Sequence, residues 1–287
     1  MAFWSRLGAV LALLGGVDGV GRGIDGVGRR HLLRRAPFAA VLAAPLHCGA
    51  APPNRLADVA ALSSDDFYAA FPYAKAGDVV PFVRATAAAG DAAQVLRAME
   101  LFGERYPMYA IGSVKGRIVD HVLQSRKCTL CCEVGSFLGY SAVRIAAQLP
   151  PAGRLICCEA SEEFAAVAMQ NVAYAGLSGK VDFVIGRASD KMDDISRVVG
   201  SRLDFLFLDH AKEAYSPDLA RFEARGLVGP GTVVVADNVV YPGAPGYLEY
   251  VTEPNYATTL AAAPYESKGW ETKWQDQEDA MSISIRR

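Results

Sequence analysis

A chain of 287 residues, 52% hydrophobic and 21% charged, has room for one large domain with a sizeable core. Its formal net charge of -2 and pI near 6.1 supply no general attraction to phosphate backbones, which disfavours nucleic acid as a partner.

The first 55 residues hold seven arginines, no lysine and only two acids, Asp18 and Asp25. The apolar run LGAVLALLGGV after Arg6 is too short to span a bilayer, which needs about 20 residues. An arginine-rich, acid-poor start reads as a transit peptide, and a basic start with a short apolar core reads as a secretory signal. A disordered arm without an address stays open beside both. AAPLHCGAAPPN reads as a linker, so residues 1–60 are expected to form a targeting or disordered arm and 61–287 the folded domain.

DVVPFVRATAAAGDAAQVLRAMELFGERY predicts two helices broken at Gly90-Asp91, with Val95, Met99 and Phe102 at helical spacing in the second. A third helix is expected from Ser113 as its N-cap, through VKGRIVDHVLQS. Strands are then expected at 129–134, 154–159, 181–185, 203–208 and 232–236. Helical stretches lie between them, such as SEEFAAVAMQNVAYAGL, which starts on a serine cap and ends near Gly176. Strand, helix, strand at this spacing means a doubly wound α/β fold, a mostly parallel sheet with helices on both faces. AMSISIRR alternates Met281, Ile283 and Ile285, as an added antiparallel strand with one covered face would.

Six cysteines (Cys48, Cys128, Cys131, Cys132, Cys157 and Cys158) show no evenly spaced framework of the secreted kind. They read as small buried hydrophobes, which fits a reducing compartment such as cytoplasm or an organelle matrix.

Ligands of such sheets bind beyond the carboxyl ends of the strands. The first strand ends in CEVGSFLGYS, with Glu133, Gly135, Gly139 and Ser141. A dinucleotide turn would need G-x-G-x-x-G for close approach of a pyrophosphate; here G-x-x-x-G stands behind an acid that would repel one. The second strand ends in Glu159, placed to accept both hydroxyls of a ribose.

E-x-G-x-x-x-G, an acid ending strand two and Asp209 ending strand four together resemble a class I S-adenosylmethionine-dependent methyltransferase. More narrowly, GSVKGRIVDHVL, EVGSFLGYSAVRIA, LDFLFLDHAKEAY and GTVVVADNVVYPGAPGYLEYV resemble the catechol O-methyltransferase family, over roughly residues 79 to 287. The resemblance implies a Rossmann-like methyltransferase fold, S-adenosylmethionine as cofactor, a small catechol as substrate and a monomer without a membrane span. It also implies a cofactor pocket lined by Ile111, Glu133, Ser141, Glu159, Ala160, Ser189, Asp209 and His210, together with the Gly135 turn. Ala160 and Ala211 stand where animal members carry larger residues, so weaker cofactor binding or compensation by Phe137 is expected.

Asp209 is answered by Asp237 and Asn238 at the end of the next strand. Neighbouring strands lie about 4.8 Å apart, so two carboxylates and an amide can converge on one hard cation, for which Mg2+ is the natural choice. Lys212, three residues past Asp209, can reach a catechol hydroxyl as general base, since desolvation and nearby positive charge favour a neutral lysine. The substrate side is expected to include Lys212, Asn238, Tyr109, Pro242 and, from PYESKGWETKWQ, Glu271 rather than Glu266, with Pro107 or Met108 at the gate. Two other functions stay open: a cation-dependent O-methyltransferase for plant- or alga-type phenolic diols, and a non-catalytic S-adenosylmethionine-binding protein.

Overall fold

The fold is that of a computed structural model, described over residues 56–73, 75–252, 254–263 and 277–287. The chain divides into two units, Met1–Ala51 and Pro52–Arg287, and the described residues all belong to the second. The arginine-rich arm, Cys48, Glu266 and Glu271 lie outside them.

Two short helices, α1 (Leu56–Ala60) and α2 (Ser64–Ala70), precede α3 (Val79–Thr86) and α4 (Ala92–Arg105). Val59, Phe67, Phe82 and Phe102 from these helices, with Phe71 just past α2, are all buried in one cluster. Asp91 caps α4 by accepting the Gln94 amide at 3.0 Å, which accounts for the expected break at Gly90-Asp91. The next helix, α5 (Gly112–Ser125), starts one residue before Ser113 and carries no side-chain cap. Gly112 makes the entry turn itself, at φ 69, so the serine has no capping role.

The α/β alternation then runs β1 (Leu130–Val134), α6 (Tyr140–Gln148), β2 (Arg154–Glu159), α7 (Glu162–Tyr174), β3 (Val181–Ile185), α8 (Ala188–Val199), β4 (Phe205–Leu208), α9 (Tyr215–Ala224) and β5 (Val233–Ala236). The chain continues through α10 (Pro245–Tyr250), β6 (Tyr256–Ala262) and β7 (Ala280–Arg286). Among the described residues the sheet order is β3-β2-β1-β4-β5-β7-β6, with β1 to β5 parallel and β7 antiparallel to both neighbours. Three strands start later than expected because polar groups at their edges serve side chains. Asp204 accepts from the amide and hydroxyl of Thr129 and from the Leu130 amide at 2.8–3.0 Å, and Thr232 donates to the Leu203 carbonyl at 2.8 Å.

Successive strand residues face opposite sides of the sheet and fill two cores. Cys131, Cys157, Phe205, Phe207, Val233 and Val235 pack with α3 to α7; Cys132, Ile156, Cys158, Leu206, Leu208 and Val234 pack with α8 to α10. The five described cysteines are buried and free, as expected. AMSISIRR is a strand, but an inner one: β6, which the sequence did not announce, covers its far edge. Both of its faces are covered, not one. Met281 is fully buried and Ile283 and Ile285 pack, partly buried, against the first core, while Ser282 and Ser284 on the other face are fully buried. The serines are tolerated because Ser282 donates to the Tyr247 hydroxyl at 3.1 Å and Ser284 accepts from Thr258 at 3.0 Å.

Candidate functional site

Strand order reverses on either side of β1, and such a switch point opens a crevice beyond the strand ends. A cavity of ≈ 770 Å³ lies there, with Ile111, Gly135, Phe137, Ser141, Glu159, Ala160, Ser189, Asp209 and His210 on its wall. Glu133 is not on that wall; it is fully buried in β1.

The β1–α6 turn depends on two glycines. At Gly135 (φ 91) a Cβ would meet the Asp209 carbonyl at 2.5 Å, and at Gly139 (φ 90) one would meet the Ala168 backbone at 2.9 Å. Any side chain at Gly135 would therefore push apart the two loops that form the site. Glu159 ties the turn from β2: it accepts the amides of Ser136 at 3.0 Å, Phe137 at 2.8 Å and Ser161 at 2.9 Å. Phe137 itself stands at φ 44, its ring edge-on to Phe164 at 4.7 Å. Among the described residues neither oxygen of Glu133 has a hydrogen-bond partner of ordinary geometry. Burial pushes its carboxyl up to about 8, partly offset by the Cys157 thiol and Ser141 hydroxyl beside it.

At the end of β4, Asp209 and His210 face different partners. His210 Nε2 is 3.0 Å from Asp218, which also takes Arg221 at 3.1 Å, while its buried Nδ1 has no partner among the described residues. Lys212 bends back within a single helical turn, Lys212–Ala214, to reach Asp209 Oδ1 at 3.1 Å and the Tyr215 hydroxyl at 2.7 Å. Tyr215 in turn donates to the Asp237 carbonyl at 3.1 Å, joining the end of β4 to the end of β5. Leu208 pairs with Ala236, so the aspartates that follow are neighbours across the strands, and the Asp237 amide donates to the Leu208 carbonyl at 3.0 Å.

Asp237 is buried, and its Oδ1 takes both the Lys115 ammonium at 2.7 Å and the Asn238 amide at 2.8 Å. Burial and the nearby Asp209 charge raise its pKa above the ordinary carboxylate range, against the pull of Lys115. For Lys115, burial works to lower the pKa, but Asp237 and Asp279 outweigh it and the value is raised. Asp279, also buried, accepts Lys115 at 2.6 Å, the side-chain amide of Asn238 at 2.9 Å and the Tyr241 amide at 2.9 Å.

These donors fit a hard cation. Asp209, Asp237 and Asn238 each have one oxygen uncommitted to a hydrogen bond among the described residues, and two carboxylates with one amide oxygen is an all-oxygen set. Among the described residues no three His, Cys, Asp or Glu side chains come together as a metal cluster; the expected set has only two, its third member being an amide.

A family model described as O-methyltransferase matches residues 94–259. The chain belongs to the O-methyltransferase family. It is 41% identical over 167 residues to a catechol O-methyltransferase of Bos taurus, covering 58% of this chain and 61% of that one. It is 42% identical over 142 residues to a catechol O-methyltransferase of Sus scrofa, covering 49% and 76%. The chain thus spans less than two thirds of the length of the cattle protein. An O-methyltransferase from Bacillus cereus, solved in complex with SAH, superposes with a TM-score of 0.57 at 22% identity, covering 80% of this chain and all of that one. That likeness is one of fold.

In this O-methyltransferase family member the expected substrate residues are only partly gathered. Tyr109, Asn238 and Met108 line the cavity, Tyr109 at 66% exposure. Pro107 and Pro242 are not on its wall, and neither is Lys212, whose ammonium is engaged by Asp209 and Tyr215. Glu271 and Glu266 fall outside the described residues. Three buried residues went unnoticed in the sequence: Lys115, Asp279 and Tyr215. The signal for Lys115 was a lysine on an otherwise apolar stripe, since Val119, Val122 and Leu123 follow it at helical spacing. Asp279 had only its place directly before an apolar strand.

Proposed function

We propose that this protein transfers a methyl group from S-adenosylmethionine to one hydroxyl of a catechol, with Mg2+ held by Asp209, Asp237 and Asn238. The observation that carries the reading is the convergence of those three residues at adjacent strand ends, beside a cavity whose wall includes Glu159. The resemblance to catechol O-methyltransferases of cattle and pig supports it.

The reaction is a displacement in which a catechol oxygen bonds to the methyl carbon as the carbon–sulfur bond breaks and sulfur keeps the electron pair. Bound Mg2+ supplies positive charge beside two vicinal oxygens, which favours loss of a phenolic proton. The chain's own groups do the rest. Lys212, once its own proton has passed to solvent, takes that proton at Nζ, and Asp209 and the Tyr215 hydroxyl, which it already reaches, hold the ammonium re-formed. Glu159 accepts the ribose hydroxyls while the amides of Ser136 and Phe137 keep its carboxylate in place. His210, Phe137 and Met108 supply apolar and aromatic surface to the cavity wall. Alignment and charge placement supply the rate, with no covalent intermediate on the protein.

The test is methyl transfer from labelled S-adenosylmethionine to catechol, with Mg2+ and with EDTA. Metal-dependent product formation supports the reading. Cofactor binding without transfer to any diol would make the protein a non-catalytic binder.

A further inference from the structure

We infer that Lys115 and Asp279 are positioning residues for the cation site, setting the rotamer of Asp237 and the orientation of the Asn238 amide without touching the cation themselves. The inference rests on the metal reading above and goes beyond it to residues from α5 and from the segment before β7.

Each of the three groups that Asp279 accepts is a donor: the Lys115 ammonium, the Asn238 amide nitrogen and the Tyr241 backbone amide. An ionised carboxylate offers only acceptors, so the nitrogen of Asn238 must be the atom that faces Asp279. The oxygen of Asn238 is then the atom left for a cation. An amide turned the other way would present a donor to a positive ion and fail as a ligand.

Lys115 acts on the other member of the pair. Its ammonium spans Asp237 Oδ1 at 2.7 Å and Asp279 Oδ2 at 2.6 Å, and its side chain is 7% exposed. With the Asn238 amide also on Asp237 Oδ1, that oxygen is saturated and Oδ2 alone is left for ligation. Asp237 is thereby limited to one-oxygen binding, and Asp279, with a fully buried side chain, is a buttress rather than a ligand. Three carboxylates (Asp209, Asp237 and Asp279) face two ammonium groups (Lys115 and Lys212), one negative charge in excess. Outer partners that orient ligands in this way are typically worth about 10–100-fold in metal affinity.

Mn2+ alone is the probe, its dissociation constant read by electron paramagnetic resonance, with S-adenosylhomocysteine binding in the absence of metal as the check on the fold. Lys115→Met and Asp279→Asn change the local charge in opposite directions. A role carried by charge alone would tighten Mn2+ in the first and loosen it in the second. Positioning loosens both, by about 10-fold or more. The double variant Lys115→Met/Asp279→Asn keeps the net charge of the site and removes both members of the buried pair, which keeps the test open if Lys115→Met alone does not fold. We expect about 10–100-fold weaker Mn2+ in the double variant with S-adenosylhomocysteine affinity unchanged. Mn2+ affinity within threefold of the parent would overturn the inference. If the parent itself binds no Mn2+, or Asp237→Asn leaves its affinity unchanged, the metal reading is what fails.

Discussion

The ammonium of Lys212 lies 2.7 Å from the Tyr215 hydroxyl, and that hydroxyl reaches the Asp237 carbonyl at 3.1 Å. The proposed base is thus tethered to both strands that end in the proposed metal ligands. Lys212→Met keeps most of the stem and deletes the nitrogen. Turnover should fall by about 10²–10⁴, the usual weight of a general base, with cofactor binding near its original strength. Raising the pH should restore part of the rate, because more catechol arrives ionised. Normal turnover at neutral pH would leave Lys212 a role in placement alone.

Glu159→Gln separates the cofactor from the substrate. The carboxylate already holds three backbone amides of its own chain, so the substitution weakens the turn as well as the ribose contact. Charge-assisted bonds contribute about 1.5–3 kcal/mol each, and S-adenosylhomocysteine affinity should drop at least tenfold by calorimetry. Catechol affinity should change little.

Glu133 makes the stability of the ligand-free protein depend on pH. Its carboxyl is raised from 4.5 to about 8 by burial, so between those values the folded state holds a proton that the unfolded state has released. Stability from this group is therefore lost as pH rises from about 4.5 and levels off above about 8. The loss amounts to a few kcal/mol, at about 1.4 kcal/mol per pH unit. Glu133→Gln should remove this slope. Denaturant unfolding of the two proteins at pH 5, 6, 7 and 8 gives the comparison; parallel curves would mean that Glu133 is ionised in the fold.

Much of this architecture was readable because it follows local rules. The Asp91 and Ser161 caps, the glycine turn at Gly135 and Gly139, and the buried runs of β1 to β5 each announce themselves within a few residues. The late sheet was harder. Ser282 and Ser284 are buried only because Tyr247 and Thr258, 35 and 26 residues earlier in the chain, supply their hydrogen bonds. The Lys115–Asp279 pair spans 164 positions, a pairing no window of sequence displays. The adjacency of Asp209 to Asp237 and Asn238 was legible because parallel strands β4 and β5 end side by side.

Val59 of α1 is fully buried with Phe67 and Phe102. We expect removal of residues 1–55 to leave S-adenosylhomocysteine affinity within twofold. Extending the deletion through residue 60 should cost about 1.5–3 kcal/mol, the worth of one buried valine, seen as a lower thermal midpoint. Equal midpoints for the two truncations would show that α1 adds nothing to the core.

In the proposed reaction two vicinal oxygens are bound and one is methylated. A monophenol offers a cation one oxygen where a catechol offers two, so both chelation and proton loss weaken. Initial rates of methyl transfer to a catechol and to its matched monophenol, each with Mg2+ and with EDTA, test this most directly. The catechol alone should be methylated, and EDTA should abolish the reaction. Comparable rates for the two substrates, or full activity without metal, would contradict it.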